Sequence, residues 1–287
     1  LTMELRPLRD LQQSSAAIAG GDYGRRVQSG RQDELGLVAQ SFNAMAQAVQ
    51  AHIDAVEAAS QEQNLLLHAL SHEMRTPVTA ISGYAYALTH LHMNEAQRVE
   101  ATTFLESESR RLERLYTKLT ELLTVTDTKI ELTPLRPEAL QKQLLSLLCP
   151  MAEEQGIAPE IRLGSDTFLG DTDLLTMLVT NLYDNARKAG AKHFRVALEG
   201  GTLTVSDDGC GIPKEIQDKI MQPFYQGDSS RSHEGFGLGL TLCSRIAQLH
   251  GSSLQVHSKV GKGTTFTILL QLHDDSQTAP AVQSSHH

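Results

Sequence analysis

The stretch SHEMRTPVTA, Ser71 to Ala80, poses the problem on which the fold turns. It reads as helix, yet Pro77 brings no amide hydrogen and its ring crowds the carbonyl of Glu73. A proline in a helix interior costs about 3 kcal/mol. His72 and Thr76 lie four apart and so share a face, with Glu73 beside the histidine. Packing alone gives little reason to gather a histidine, a carboxylate, a hydroxyl and a proline here. On this stretch by itself, a chance polar patch on a coiled coil and a reactive site both stay open.

The pattern on either side is helical. Residues 1–19 read as a helix, and GGDYGRRVQSGRQDE, Gly20 to Glu34, reads as a connector because glycines and charges oppose continuation. Leu35, Val38, Phe42, Met45 and Val49 then alternate at three and four, a coiled-coil seam that Ile53 and Val56 continue. Leu66, Leu70, Met74, Val78, Ile81, Ala85 and Leu88 carry it through the opening stretch, on one helix or two joined end to end. A turn is expected near His92 to Glu95, with Asn94 as cap. A second helix follows over Ala96 to Thr124, with Phe104, Leu105, Leu112, Leu115, Leu119 and Leu122 as its stripe. Two such helices make a hairpin. A lone hairpin buries its faces poorly, so a four-helix bundle formed with a second copy is predicted.

At TPLRP, Thr133 to Pro137, the composition changes. Beyond it, helices are expected over Ala139 to Gln155, Asp173 to Ala189 and Leu238 to Leu249. Strands are expected over His193 to Ala197 and Thr202 to Ser206, with a closing hairpin of Leu254 to Ser258 and Thr264 to Leu270. Helices with antiparallel strands give an α/β sandwich. From His273 the chain is polar and reads as a disordered tail.

Composition narrows the function. The 287 residues carry a formal charge of -9, no tryptophan and no basic block longer than a pair, which excludes a nucleic-acid partner. Cys149, Cys210 and Cys243 are scattered and form neither a CxxC pair nor a zinc set, which suits a reducing compartment. No apolar run approaches the length of a membrane span, and no secretory signal is visible. The first residue is Leu1, as expected of a piece of a longer protein.

Four patterns of the second domain carry chemistry. In NLYDNARK, Asn181, Asp184, Asn185 and Lys188 fall within two turns near one face. Asparagine oxygens suit Mg²⁺ that already has phosphate ligands, and a lysine answers phosphate charge. A solvated helix face would look the same. In SDDGCGIP, Ser206 to Pro213, Asp207 precedes two glycines at a strand end, so backbone can approach a flat ligand. A plain turn would also fit. GFGLGL, Gly235 to Leu240, runs into a helix N-terminus, a place where phosphate meets free amide hydrogens. It is not the dinucleotide fingerprint. GKGTTF, Gly261 to Phe266, is a glycine turn entering a strand.

Taken in order, these motifs resemble the two-component sensor histidine kinases. SHEMRTP resembles the family's phosphoacceptor box. NLYDNARK, DDGCGI, MQPFYQ, GFGLGL and GKGTTF resemble its nucleotide-binding boxes, and the segment from Pro7 through GDYGRRV, DELG and FNAMA resembles a HAMP relay module. The implied fold is multidomain, α plus α/β. It comprises a HAMP parallel coiled coil (1–58), a dimeric four-helix bundle of phosphotransfer hairpins (59–130), a Bergerat-type α/β sandwich (131–272) and the tail (273–287). The resemblance implies that His72 is phosphorylated, that Glu73 is its base and that Thr76 orients water when phosphate is removed from a partner. It assigns Asn185 to Mg²⁺, Lys188 and Asn181 to the phosphates of ATP, and Asp207 to adenine with Gly209 and Gly211 shaping that pocket. Gly235, Gly237 and Gly239 become the edge of the ATP lid. The expected partners are a second copy and the receiver domain of a separate response regulator. An upstream transmembrane segment is expected to hold the full-length protein at the bacterial inner membrane. Imidazole titrates near pH 6.5 and so is a competent nucleophile at neutral pH, with Pro77 as a local weakness through which helix motion reaches it.

Departures from the family pattern are Gln222 before Pro223-Phe224, Gln226 after Tyr225, Ser252 after His250-Gly251, and a short lid over Gln226 to Glu234. They bear on rate and lid motion. His68, His90, His92 and His250 read as helix-surface or capping residues, and the cluster Arg110, Arg111, Glu113 and Arg114 as a solvated face. A phosphatase-dominant enzyme and a scaffold with a degenerate ATP site are the competing readings. Thr76 permits the first, and the intact Asn185, Asp207 and lid glycines oppose the second. A chaperone or topoisomerase sharing the ATP fold leaves SHEMRTP unexplained.

Overall fold

The computed structural model describes residues 6–27, 33–127, 130–225 and 235–273. The lid 226–234, part of the connector and the expected tail beyond residue 273 lie outside these. The chain divides into two compact units, Leu1–His68 and Ala69–His287.

In the first unit, α1 (Arg6–Ala19) is followed by a turn, and α2 (Glu34–His90) begins. Asn43 ties the connector to α2 through both its groups. Its Oδ1 accepts from the Val27 N–H at 2.9 Å, and its Nδ2 donates to the Val27 carbonyl at 2.9 Å. Val27, Ala39 and Phe42 are buried, with Leu11 and Ile18 against them. Of the expected seam, Phe42 is buried within the single chain. Ala39, Phe42 and Ala46 are the buried residues, whereas Val38 and Met45 are exposed. Small alanines allow close approach within one chain and leave the larger side chains outside.

In the second unit, α2 runs unbroken through Pro77 to His90 and turns into α3 (Glu95–Asp127). Asn94 caps α3 as expected, in a reciprocal box. Its Oδ1 accepts from the Gln97 N–H at 2.9 Å, and Gln97 Oε1 accepts from the Asn94 N–H at 3.0 Å. Tyr84 stacks on Phe104 across the hairpin with ring centroids 4.4 Å apart. Ala101, Glu108, Leu115, Leu122 and Val125 are the buried positions of α3. Their spacing is that of a heptad seam. Met74 and Val78 on α2 stay exposed, as do Tyr116 and Leu123 on α3.

The remaining elements form the sandwich. Short strands β1 (Thr133–Leu135) and β3 (Phe168–Gly170) pair antiparallel and flank α4 (Pro137–Gln155) and β2 (Ala158–Leu163). Then come α5 (Thr172–Lys188), β4 (His193–Glu199), β5 (Thr202–Asp207), the short α6 (Lys214–Gln217), α7 (Gly239–Leu249), β6 (Gln255–Lys259) and β7 (Gly263–Leu269). The main sheet has the order β2-β4-β5-β7-β6, antiparallel except for the parallel β2–β4 pair. Alternation in β4 buries Phe194, Val196 and Leu198 on one face only. Leu140, Leu144 and Leu148 of α4, Leu175, Leu178, Leu182 and Tyr183 of α5, and Leu242 and Ile246 of α7 supply the buried helical layer. The Tyr183 ring meets Phe194 edge-on, and its hydroxyl donates to the Ile157 carbonyl at 3.1 Å.

One polar chain joins two helix ends in this core. Asp171 caps α5 by accepting from the Asp173 and Leu174 N–H groups at 2.9 and 3.0 Å. Its own N–H donates to His250 Nε2 at 3.1 Å, while His250 Nδ1 lies 2.8 Å from the Ile246 carbonyl. His250 is thus the C-cap of α7, as expected, but it is buried and not on the surface. Burial lowers its pKa below the ordinary imidazole value.

Candidate functional site

The phosphoacceptor residues sit one after another on α2. His72 projects into solvent with 78% of its side chain exposed, and Glu73 is tucked toward α3 with 22% exposed. Glu73 Oε1 lies 3.9 Å from His72 Nδ1. Thr76, one turn on, is exposed. Pro77 is buried.

The expected solvated face of α3 needs a correction at one residue. Arg111 is only 17% exposed, and its guanidinium lies 3.4 Å from Glu73 Oε2 and 3.7 Å from Glu108 Oε2. It also sits 5.9 Å from the centroid of Phe236, in GFGLGL, within reach of a cation–π contact. The signal was in the spacing. Glu108, Arg111 and Lys118 take positions of the buried seam that Ala101, Leu115 and Leu122 define. A charge inside an apolar heptad is there to meet something.

The residues expected at the nucleotide come from α5, the β5 end and the start of α7, where Gly239 lies beside Asn181 and Asn185. Asn181 is buried; its Nδ2 donates to the Met177 carbonyl at 2.8 Å, and its Oδ1 accepts from Lys118 Nζ at 3.2 Å. Asn185 Nδ2 is buried with no partner among the described residues. A Cβ placed on Gly239 would stand 3.4 Å from Asn181 Oδ1 and 3.8 Å from Asn185 Oδ1. The two amides therefore face a spot kept open by a glycine at a helix start, and one has unspent hydrogen-bonding capacity. The Asn185 Oδ1 at this spot suits a Mg²⁺ that arrives with phosphate oxygens, and the unpartnered Nδ2 is a donor for a phosphate oxygen. Lys188 pairs with Asp184, and Arg187 reaches the same carboxylate at 3.2 Å. Asp184 thus acts as counterion to the lysine expected at phosphate. Lys188 Nζ would also lie 3.5 Å from a Cβ on Gly235, which brings the lysine to the lid edge.

Asp207 ends β5 half-buried. Burial holds its carboxyl above the ordinary carboxylate range, against the downward pull of N–H groups from Gly209 and Thr264. The Gly209 N–H donates to Asp207 Oδ1 at 2.8 Å. Asp208, by contrast, faces outward. The His193 N–H and imidazole and the Lys192 N–H hold its carboxyl far below that range. Two adjacent aspartates thus divide the work, one turned inward and one pinning the start of β4.

The glycines have causes that the motif alone did not show. Gly211 has φ +71° and would place a Cβ 2.2 Å from the Lys259 carbonyl oxygen. Gly237 has φ +68° and would place one 2.6 Å from the Tyr225 carbonyl oxygen. Both meet the protein's own backbone, so each is needed before any ligand arrives.

Comparison with known proteins agrees with this geometry. Three family models match in sequence: the HAMP domain over residues 3–51, the His Kinase A (phospho-acceptor) domain over 62–126, and the histidine kinase-, DNA gyrase B- and HSP90-like ATPase over 170–274. Sensor histidine kinase YclK of Bacillus subtilis is 26% identical over 280 residues, covering 93% of this chain and 59% of the relative. Sensor histidine kinase AruS of Pseudomonas aeruginosa is 33% identical over 241 residues, covering 76% of this chain and 24% of the relative. The chain therefore spans well under two thirds of either relative. In fold it is similar to histidine kinase ThkA, solved with response regulator protein TrrA. There the TM-score is 0.56 at 21% identity, over 72% of this chain and 61% of that one.

A helical hairpin that presents a histidine, followed by a sandwich of the ATPase family, is the pair of modules that these family models describe. With HAMP, phosphoacceptor and ATPase modules in this order, the chain belongs to the two-component sensor histidine kinases.

Proposed function

We propose that this chain is the catalytic and relay part of a kinase that phosphorylates its own His72 from ATP and passes the phosphoryl group to an aspartate of a response-regulator receiver domain. The observation that carries this reading is the exposed His72 with Glu73 Oε1 facing its Nδ1. In this geometry Nε2 is free to attack the γ-phosphorus of ATP. A nitrogen–phosphorus bond forms, the bond to the bridging oxygen breaks, ADP leaves, and the Nδ1 proton passes to Glu73. Asp207 holds the adenine amine, with Gly209 and Gly211 closing on the ring. Lys188 leaves Asp184 for phosphate, Asn181 lines that end, and Gly235, Gly237 and Gly239 border the lid. Mg²⁺ bound through Asn185 and the phosphates would neutralise charge on the group in transfer.

The working unit in this reading is a homodimer, supported by Met74 and Val78, which stay exposed four apart on the hairpin. The modules are assigned to 1–58, 59–130 and 131–272. No helix among the described residues is long and apolar enough to cross a membrane. The HAMP match supports an upstream membrane segment and an inner-membrane location for the full-length protein. Thr76, exposed one turn from His72, favours a second activity on the same helix, dephosphorylation of the regulator. Incubation with γ-labelled ATP and Mg²⁺, followed by mapping of an acid-labile label, tests the first activity. Label at His72 is expected, and label at any other residue defeats the reading.

A further inference from the structure

We infer that Arg111 is a positioning residue for phosphoryl transfer: it anchors one oxygen of Glu73 so that the other faces His72. The inference rests on the reading of Glu73 as the base. The two Glu73 oxygens have different neighbours. Oε2 lies 3.4 Å from Arg111 Nη2, and Oε1 lies 3.9 Å from His72 Nδ1. A carboxylate on a freely rotating side chain would present either oxygen, or neither. A guanidinium held on the far side limits that freedom, because its Nη2 donates to Oε2 alone and so leaves Oε1 toward the imidazole.

Arg111 is itself held. Glu108, with 9% of its side chain exposed, lies 3.7 Å away one helical turn before it, and the ring of Phe236 covers it at 5.9 Å. This arrangement has a consequence for the proton step. When His72 Nδ1 gives its proton to Glu73 Oε1, Glu73 loses its negative charge. Arg111 then still faces the carboxylate of Glu108, so its buried charge keeps a partner throughout. The guanidinium stays in place for the return of the proton. Arg111 Nε, buried and without a partner among the described residues, leaves the side chain dependent on these few contacts.

The test uses the whole chain with saturating Mg²⁺ and compares kcat and KM for ATP in autophosphorylation. Arg111→Gln is expected to lower kcat about tenfold, a part of what general-base catalysis contributes, with KM for ATP unchanged. Arg111→Lys should recover at least half of the loss on a logarithmic scale, which a purely structural role would not give. In a Glu73→Gln background, Arg111→Gln should cost nothing further, since the group it positions is gone. Arg111→Met serves in place of the glutamine variant if that one fails to fold. Glu73→Gln at full rate would overturn the base reading and the inference with it. A slow Glu73→Gln enzyme combined with a full-rate or fully additive Arg111→Gln would overturn the role of Arg111 alone. So would a rise in KM for ATP with kcat intact, which would mark Arg111 as a lid contact through Phe236.

Discussion

His72 stands 78% exposed on an unbroken helix, with the Glu73 carboxylate one residue away. Asn181, Asn185, Asp207 and the lid glycines come from three separate elements and are shaped by buried contacts. In the proposed function the nucleophile needs access, because it would meet a nucleotide carried by one domain and then a receiver domain. The nucleotide site needs enclosure, because hydrogen bonds to adenine and phosphate gain most where water is excluded. A substitution in the first region should therefore remove chemistry and spare binding. One in the second should weaken binding and take activity down with it.

The sharpest separation is His72→Ala. Labelling from γ-labelled ATP should vanish, while nucleotide affinity by calorimetry stays at the parent value. A variant that loses both would show that the two regions are not independent. Next in size are Asn185→Ala and Asp207→Asn. Each leaves a buried polar partner unmatched, so nucleotide should bind about 10- to 100-fold more weakly. His72 should still accept phosphate at high ATP concentration. Unchanged affinity in both variants would break the site as drawn.

Thr76→Ala probes the exposed helix more gently. Thr76 is exposed one turn from His72, and the proposed function has its hydroxyl orient water. Decay of a phosphorylated regulator should slow several-fold more than autophosphorylation, less than the about 10²- to 10⁴-fold that full acid–base assistance contributes. Equal losses in both assays would remove the distinction between the two activities.

Much of the fold was legible because long helices repeat their pattern many times. The Asn94 cap, both hairpin helices and the β6–β7 turn fell where periodicity and turn chemistry put them. What stayed hidden was short or tertiary. β1 and β3 have three residues each and no room for alternation. β2 lies beside β4 as a parallel neighbour, a pairing invisible to local pattern. The candidate site shows the same divide. His72, Asn185 and Asp207 could be picked out as motif residues. Arg111 reads as surface in the sequence because it stands in a run of charges, Arg110 to Arg114, while its burial comes from tertiary contacts with Glu73 and Phe236. The need for Gly211 lies in Lys259, far along the chain.

The smallest expected effect concerns pH and the enclosed domain. His250 is buried, its Nε2 accepts from the Asp171 N–H and its Nδ1 lies 2.8 Å from the Ile246 carbonyl. The neutral tautomer with hydrogen on Nδ1 satisfies both. Burial lowers its folded-state pKa, partly opposed by that backbone bond and by the charge of Asp171. In the unfolded chain the same imidazole titrates near its ordinary value of 6.5. The sign follows from proton counting. Above that value both states are neutral and stability from this group does not change with pH. As pH falls below it, the unfolded chain takes up a proton that the folded domain refuses, so stability declines until the lowered folded pKa is reached. The melting temperature of the chain should therefore fall as pH drops below the ordinary imidazole value of 6.5. A His250→Gln variant cannot take that proton. It should melt lower at neutral pH, because its fit between Asp171 and Ile246 is poorer, but with a shallower decline over the same interval. A slope in His250→Gln as steep as in the parent chain would remove the enclosed histidine from the pH dependence of stability.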